Sequence, residues 1–565
     1  MITNVLRRLA AVCLPRRADY AGGLHTVRRD VIAGLTVGIV ALPLALGFGV
    51  SSGMGATAGL ITAVVAGVVA AIFGGSRFQV SGPTGAMTVV LVPIVSQFGV
   101  GAVVIVAVMA GALVITMSLA KLGVLVAYLP WPVVEGFTLG IAVIIFLQQV
   151  PLVTGVAAHG DSTLSVALQS LLQANWSALW PSLVIVGVVA AVMVLLPRLH
   201  TSIPASLIAV VLATVVTAVA QLDVKTVGML PTSLPLPAFP VADLATIRAL
   251  AGPALAVAML CAIESLLSAR VADRLAGATG ARATDPDREL FGQGLATVAS
   301  GLFGGMPATG AIARTAVNVR AGAQTRVAAL VHAAMLMAVV YLAAPLVGQI
   351  PLAALAAVLI MTSIRMVEHR SARALLRSTR SDAAIFAITA VTTVAFDLIV
   401  AVEVGVALAA VFALRAIAAN SRTDPTDVFA GDGIEVYRLE GSLFFAATPR
   451  IFQNLTIRRD TQVVVLRLAG LHTLDASGAA HLSELITELR GRGLTVLLKG
   501  VDDRHLRTLT AVGVVDALAV APSDADPAGH SNLLPDMDSA LAHARGHLVP
   551  RPERQDQATP DVTAR

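Results

Sequence analysis

Phe73-Gly74-Gly75, followed shortly by Gly82-Pro83-Thr84-Gly85-Ala86-Met87, is written a second time as Phe303-Gly304-Gly305 followed by Pro307-Ala308-Thr309-Gly310-Ala311-Ile312. Both copies interrupt long apolar stretches with proline, glycine and threonine. Each opens a short apolar run. Pro83 to Gln97 covers about 15 residues, roughly 22 Å at 1.5 Å per helical residue. Thr309 to Val319 is shorter and carries Arg314 and Asn318. A membrane span needs about 20 apolar residues, so neither run crosses alone and each reads as a half-helix starting near the bilayer centre. Gly/Pro-interrupted segments in matching positions of two halves point to a transporter's midplane binding site.

Working outward, the chain is built for lipid. Its 565 residues are 56% hydrophobic and 13% charged, against about 25% charged in soluble proteins. The depletion lies between residues 31 and 418, and charge returns after residue 420. The other candidate spans begin near 31–50, 54–73, 100–119, 132–150, 179–197, 203–221, 248–269, 289–303, 325–347, 352–364, 380–398 and 400–418. With the two half-helices this makes fourteen segments, and the repeated phrase opens the third and the tenth. An odd separation of seven sends the two copies into the membrane from opposite sides, a seven-plus-seven inverted repeat.

The arm before residue 31 carries Arg7, Arg8, Arg16, Arg17, Arg28 and Arg29, which the positive-inside rule places in the cytoplasm. Its apolar patch, Leu9 to Leu14, is too short for a signal-peptide core. An even number of segments returns the C-terminus to the same side, so the expectation is a multi-pass protein of the cell's inner (plasma) membrane. The net charge of +5 comes from arginines at helix ends, with only Lys121, Lys225 and Lys499 as lysines. No basic stripe interleaved with aromatics suggests nucleic acid. Cys13 and Cys261 have neither metal nor redox spacing, and the histidines show no ligand spacing. No cofactor is expected, and the chain reads as a transporter, not an enzyme.

The predicted domains are an arm (1–30), a transmembrane domain (31–418), a linker (419–433), a small α/β domain (434–547) and a disordered tail (548–565). Val463 to Leu468 and Leu494 to Leu498 read as buried strands flanking a helix from Ser477 to Arg490. Residues 521–534 read as disordered, and Asp536 caps a last helix over 537–545 that Gly546 ends.

The chemistry concentrates at the two half-helix starts. A helix N-terminus exposes unpaired N–H groups and about half a positive charge, so two of them meeting at the midplane form a site for a small anion. Thr84, Gly85 and Ala86 of the first copy and Thr309, Gly310, Ala311 and Ile312 of the second are the substrate-binding candidates. Packing glycines in ordinary membrane helices are the bland alternative, which the matching leaders disfavour. Arg314 either adds positive charge to the pocket or neutralises Glu264. Glu264 lies within the apolar run Ala251 to Ala269, where a carboxylate costs about 2.5–3.5 kcal/mol to insert. Ser268 follows one turn later on the same face. Glu264, Ser268 and Gly310 are therefore the coupling-ion candidates, for Na⁺ or for a proton at Glu264. A structural ion pair with Arg314 or Arg270 is the alternative. Glu135, Asp397 and Glu403 read as solvated carboxylates at span ends. In the α/β domain, Asp475 and Ser477 suit the cap of a helix, and Ser477 also suits a regulatory phosphorylation site.

At Gly82-Pro83-Thr84-Gly85, Ala262-Ile263-Glu264-Ser265-Leu266-Leu267-Ser268 and Thr309-Gly310-Ala311-Ile312-Ala313-Arg314-Thr315 the chain resembles the SulP family of anion transporters (sulfate permease, solute carrier 26). Asp475-Ala476-Ser477-Gly478 resembles the STAS domain that ends those proteins. The resemblance covers nearly the whole length. It implies a core domain (segments 1–4 and 8–11) moving as an elevator against a gate domain (segments 5–7 and 12–14), usually in a homodimer, with a cytosolic partner at the STAS domain. It implies an anion held between segments 3 and 10, next to Glu264. Ala41-Leu42-Pro43-Leu44 departs from the Pro-Gln pattern of many sulfate-type members and looks more like the bicarbonate-transporting bacterial branch. Na⁺-coupled members of that branch have Asp and Thr where this chain has Glu264 and Ser268. The expected function is elevator-type cation symport of bicarbonate, with a sulfate or dicarboxylate proton symporter as runner-up. A membrane signalling protein with STAS output is the reading from another class.

Overall fold

The computed structural model describes residues 14–16, 19–124, 130–156, 162–199, 204–278, 283–396, 398–419, 422–429, 433–444, 457–518 and 532–548. Cys13, Asp397 and the side chain of Glu403 lie outside the described residues. The chain divides into two compact units, residues 1–409 and 410–565.

Each of the fourteen predicted segments falls on a helix. The first half contains α1 (Leu24–Ser51), α2 (Ala56–Phe73), α3 (Gly85–Phe98), α4 (Val100–Leu119), α5 (Trp131–Thr154), α6 (Trp180–Leu199) and α7 (Ala205–Val219). The second contains α8 (Leu244–Ala276), α9 (Pro286–Leu302), α10 (Ile312–Arg320), α11 (Val327–Leu342), α12 (Leu352–Met366), α13 (Arg380–Ala395) and α14 (Leu398–Ala419). Among the described residues, seven helical segments are long and apolar enough to cross a membrane on their own. The half-helices are not: α3 has 14 residues and α10 has 9, about 21 and 13 Å. Two connectors, Thr163–Leu172 and His369–Arg377, are helices outside the apolar-run reading: the first is apolar but only 10 residues long, and the second is basic and amphipathic.

Hydrogen bonds between distant segments verify the alternation of crossings. Tyr20 Oη–H donates to the carbonyls of Ala71 and Ile72 at the end of α2 (3.1 and 3.2 Å). Asp19 pairs with Arg288 in the first turn of α9 (2.7 Å) and with Arg326 just before α11 (3.5 Å). The Gly123 N–H after α4 donates to Asp287 Oδ1 at the start of α9 (3.1 Å). All these points share one end if every segment crosses once. At the other end, Val227 and Gly228 N–H, after α7, donate to Ile350 and Gly348 carbonyls before α12 (2.9 and 3.0 Å). There too Ser51, closing α1, donates to Gln149 near the end of α5 (3.0 Å).

Packing sorts the helices into two groups. α9 packs on α2 and α4, α11 on α1 and α2, and α8 on α4 and α10. Separately, α5 packs on α12 and α13, and α12 on α6 and α7. The groups meet where α1 touches α7 and α12, and where α3 touches α5.

The arm is tied into the first group. Asp19, 6% exposed, serves two arginines that are themselves buried. Burial alone would raise the Asp19 carboxyl, but the Arg288 hydrogen bond and the charges of Arg326 and Arg288 outweigh it and hold the carboxyl below its ordinary value. A depressed carboxyl stabilises the fold fully above its unfolded value near 3.8 and loses that contribution as pH falls through the folded value. Asp19→Asn is therefore expected to cost roughly 3 kcal/mol near neutral pH and to flatten the acid limb of thermal stability. Unfolding in detergent between about pH 3 and pH 7 checks this; an unchanged acid limb would contradict it.

The second unit carries a five-stranded sheet: β3 (Arg422–Phe429), β4 (Ile434–Leu443), β5 (Val463–Leu474), β6 (Thr495–Lys499) and β7 (Leu533–Leu534), in that order. β3 pairs antiparallel with β4, and the remaining neighbours are parallel. Helices cover both faces. Leu482, Ile486 and Leu489 of α15 (Ala476–Gly491) pack over Val464, Leu466, Val496 and Leu498. After α16 (Asp503–Ala511), Ala540 and Ala544 of α17 (Met537–Gly546) pack over Val463, Val465 and Leu497. Two expectations are corrected. Residues 422–429 form a strand inside the stretch read as linker, and Leu533–Leu534, read as disordered, adds a parallel strand beside Leu498 and Lys499. Edge strands this polar or this short leave no alternating pattern to read. Asp536 caps α17 through the Ser539 N–H (2.8 Å), and Gly546 is its last residue, with the cap at His547. Residues 519–531 and 549–565 lie outside the described residues.

Candidate anion site

The repeated phrase pairs with itself. Before α3, Ser81–Gly82 forms the two-residue strand β1; before α10, Thr309–Gly310 forms β2. They run antiparallel, with Ser81 opposite Gly310 and Gly82 opposite Thr309, and the Ala311 N–H donates to the Val80 carbonyl (3.0 Å). This corrects the expected helix starts. Thr309 and Gly310 are strand, α10 begins at Ile312, and α3 begins at Gly85 with Thr84 as its N-cap. Once two extended backbones can satisfy each other, neither phrase gains by coiling there.

Thr84 is a residue type that caps helices with its own hydroxyl, yet no side-chain cap closes α3 or α10. Glu264, midway along α8, takes that hydroxyl instead. Its Oε2 accepts from Thr84 Oγ1 (2.9 Å) and from Thr309 Oγ1 (2.8 Å), and the two threonine oxygens lie 3.0 Å apart. The three oxygens make a nearly equilateral triangle across the two copies. The first α3 hydrogen bond runs from the Thr88 N–H to the Thr84 carbonyl, and the first of α10 from the Thr315 N–H to that of Ala311 (3.1 and 2.9 Å). The amides of Gly85, Ala86 and Met87, and of Ile312, Ala313 and Arg314, precede those bonds and have no intrahelical acceptor. An anion is the natural acceptor for such amides.

The predicted residues divide into two sets. Thr84, Thr309 and Glu264 form the triangle; Gly85 and Ala86 open α3; Ala311 and Ile312 open α10, with Ala311 buried and Ile312 exposed. Gly85 lies against Ile145 of α5, so a Cβ there would collide with that side chain. Gly310 gives its N–H to Ser265 Oγ (3.0 Å). The other two candidates turn away. Arg314 is 1% exposed and donates from Nη2 to the Pro83 carbonyl (2.6 Å). It makes no ion pair with Glu264 among the described residues. Gly82, at φ +154°, leaves the room its guanidinium occupies. Ser268 donates to Thr315 Oγ1 (3.2 Å), whose oxygen also accepts from the Val80 N–H (3.0 Å). Both brace the paired strands from behind. In the second unit, Asp475 does the capping, accepting from the Gly478 N–H (2.7 Å), and leaves Ser477 exposed in the first turn of α15.

Glu289 was not among the sequence candidates, because an acid in the first turn of a helix reads as ordinary dipole complementation. It is 1% exposed. Oε2 accepts from the Gly75 and Ser76 amides (2.7 and 2.8 Å), at the end of the first Phe-Gly-Gly. Oε1 accepts from Gln79 Nε2 and Gln293 Nε2 (both 2.8 Å). Gln293 also reaches Ser81 Oγ (2.5 Å). One carboxylate thus holds the first leader against the helix that precedes the second.

Comparison with known proteins follows the same division into two units. A model described as "Sulfate permease family" matches residues 27–389, and one described as "STAS domain" matches residues 428–526. A putative sulfate transporter of Bacillus subtilis, YvdB, is 34% identical over 509 residues, covering 87% of this chain and 94% of that protein. The bicarbonate transporter BicA of a Picosynechococcus species is 30% identical over 521 residues, covering 86% and 90%. The solved transmembrane domain of a cyanobacterial BicA matches with a TM-score of 0.61 at 32% identity, covering 67% of this chain and 98% of that one. The solved structure of SLC26A9 matches with a TM-score of 0.80 at 16% identity, covering 96% and 94%, a likeness of fold alone.

Proposed function

The chain belongs to the sulfate permease family of anion transporters, and we propose that it carries a small oxyanion together with a proton, by elevator-type movement of α1–α4 and α8–α11 against α5–α7 and α12–α14. The observation that carries this reading is the theft of the Thr84 hydroxyl by Glu264. It ties the start of α3 in the first repeat to a carboxylate on α8 in the second, beside two sets of helix N–H groups that have no side-chain caps.

The triangle also supports the proton. Three oxygen–oxygen edges of 2.8–3.0 Å require three protons if every edge is a hydrogen bond. The two threonines bring two. A proton on Glu264 supplies the third and closes a ring in which each oxygen donates once and accepts once. With Glu264 ionised, both hydroxyls point at it and one edge is bare. An ionised carboxylate about 4 Å from a bound anion would repel it by about 4 kcal/mol at an effective dielectric of 20, close to a thousandfold in affinity. Anion and proton therefore favour each other's binding. Na⁺ is the competing coupling ion; the Ser268 hydroxyl expected to help hold it is committed to Thr315.

Bicarbonate is the first cargo to test, supported by the relatives named for it, and sulfate the second, supported by the relatives named as putative sulfate transporters. The experiment is uptake of labelled bicarbonate, sulfate and fumarate by reconstituted protein, each with and without Na⁺ and a pH gradient. Glu264→Gln, which keeps an acceptor oxygen and adds a fixed donor, is expected to abolish stimulation by the pH gradient while anion exchange persists. Uptake driven by Na⁺ and indifferent to pH, or a Gln variant with the wild-type pH response, would overturn proton coupling.

A further inference from the structure

After α12 the chain leaves helical geometry at Val367 (ψ 104°) and Glu368 (ψ 86°), then forms the separate nine-residue helix His369–Arg377 before α13. At 3.6 residues per turn, Arg370, Arg373 and Arg377 fall within about 60° of one another, and Arg380 follows at the start of α13. All four are exposed. None makes an ion pair among the described residues. The nearby acids are otherwise engaged or few. Asp382 exchanges hydrogen bonds with Thr379 to cap α13, Glu135 accepts from Trp131 Nε1 (3.0 Å), and Glu368 precedes the helix. On the opposite face Leu375 is buried, while Leu376, beside the Arg373 edge, is 58% exposed. The helix contacts α5, whose first residue, Trp131, presents a 52% exposed indole.

Twelve crossings separate this helix from the N-terminal arm, so it lies at the arm's end of the membrane unit. It is a basic amphipathic helix at a membrane boundary, with an exposed leucine and an indole close by. We propose that His369–Arg377 lies in the headgroup layer and binds anionic phospholipid through Arg370, Arg373, Arg377 and Arg380. Guanidinium groups take phosphate oxygens in pairs, basic residues at the surface of an anionic leaflet are attracted to it, and indole favours the interface. An acidic soluble partner would use the arginines but leave Leu376 and Trp131 in water. The proposal rests on the transmembrane reading but not on the identity of cargo or coupling ion.

The test uses the full chain in nanodiscs of phosphatidylcholine with a minor fraction of phosphatidylglycerol, reading bound lipid by native mass spectrometry. Wild-type protein is expected to retain phosphatidylglycerol in preference to phosphatidylcholine, less so at high salt. The triple variant R370Q/R373Q/R377Q is expected to lose that preference at least tenfold, and the matching triple lysine variant to keep most of it. Equal lipid preference in wild type and the glutamine variant would overturn the proposal. So would cross-links, in lipid-free detergent, between these arginines and acidic residues of the second unit. Because the readout is bound lipid, its failure is distinct from failure of the transport reading.

Discussion

Gly310→Val is expected to lower labelled-anion uptake at least a hundredfold while the protein still reaches the membrane. A Cβ at residue 310 would run into the Gln79 side chain. Gln79 is 7% exposed and its amide is held by Glu289, so it cannot swing aside. The pressure falls on β2, which must slide against β1. That moves Thr309, one of the two hydroxyls on Glu264, and the start of α10 with it. Gly310→Ala should be intermediate. Uptake per inserted molecule, with thermal stability measured beside it, gives the answer; wild-type flux through the valine variant would remove Gly310 from the site.

The second large effect concerns stability. Glu289→Ala removes the acceptor of four donors, three of them buried: two backbone amides and the amides of Gln79 and Gln293. A buried donor left unpaired costs about 1–3 kcal/mol, and loss of a buried charged partner about 3–5. Allowing for relaxation of the glutamines, the variant is expected to lose roughly 3–5 kcal/mol and to transport poorly even when folded, because the leader to β1 is no longer anchored. Glu289→Gln should fall between, since one oxygen survives while the new amide group faces donors. Thermal unfolding within about 0.5 kcal/mol of wild type would show that the network is dispensable.

These two sites differ in how far they could be read from the chain. Gly310 stands in a phrase that repeats, so symmetry marks it. Glu289 lies in a first turn after Asp285-Pro286, where an acid is ordinary, and only folding brings the residue 73–79 leader to it. Glu264 was legible because a carboxylate inside an apolar run is costly wherever it points. Its partners were not: Thr84 and Thr309 were candidates as anion donors, and the fold assigns their hydroxyls to the carboxylate. Arg314 and Ser268 illustrate the opposite case. Their types and spacing suit an anion site and a cation site, yet both side chains brace the paired strands.

What the chain determines by itself is what local composition and parity control. Apolar run length sets the spans, Gly and Pro set the two interruptions, and the odd count between them sets their opposed entry. Tertiary structure decides which hydrogen-bonding groups find each other. Two short extended stretches, each too polar to sit alone in a membrane, satisfy their backbones by pairing with the other copy and with the hydroxyls of Ser265 and Thr315. That pairing brings both threonines to Glu264, beside half-helix N–H groups that have no side-chain caps. No stretch of sequence contains that arrangement, because each half of it lies in a different repeat.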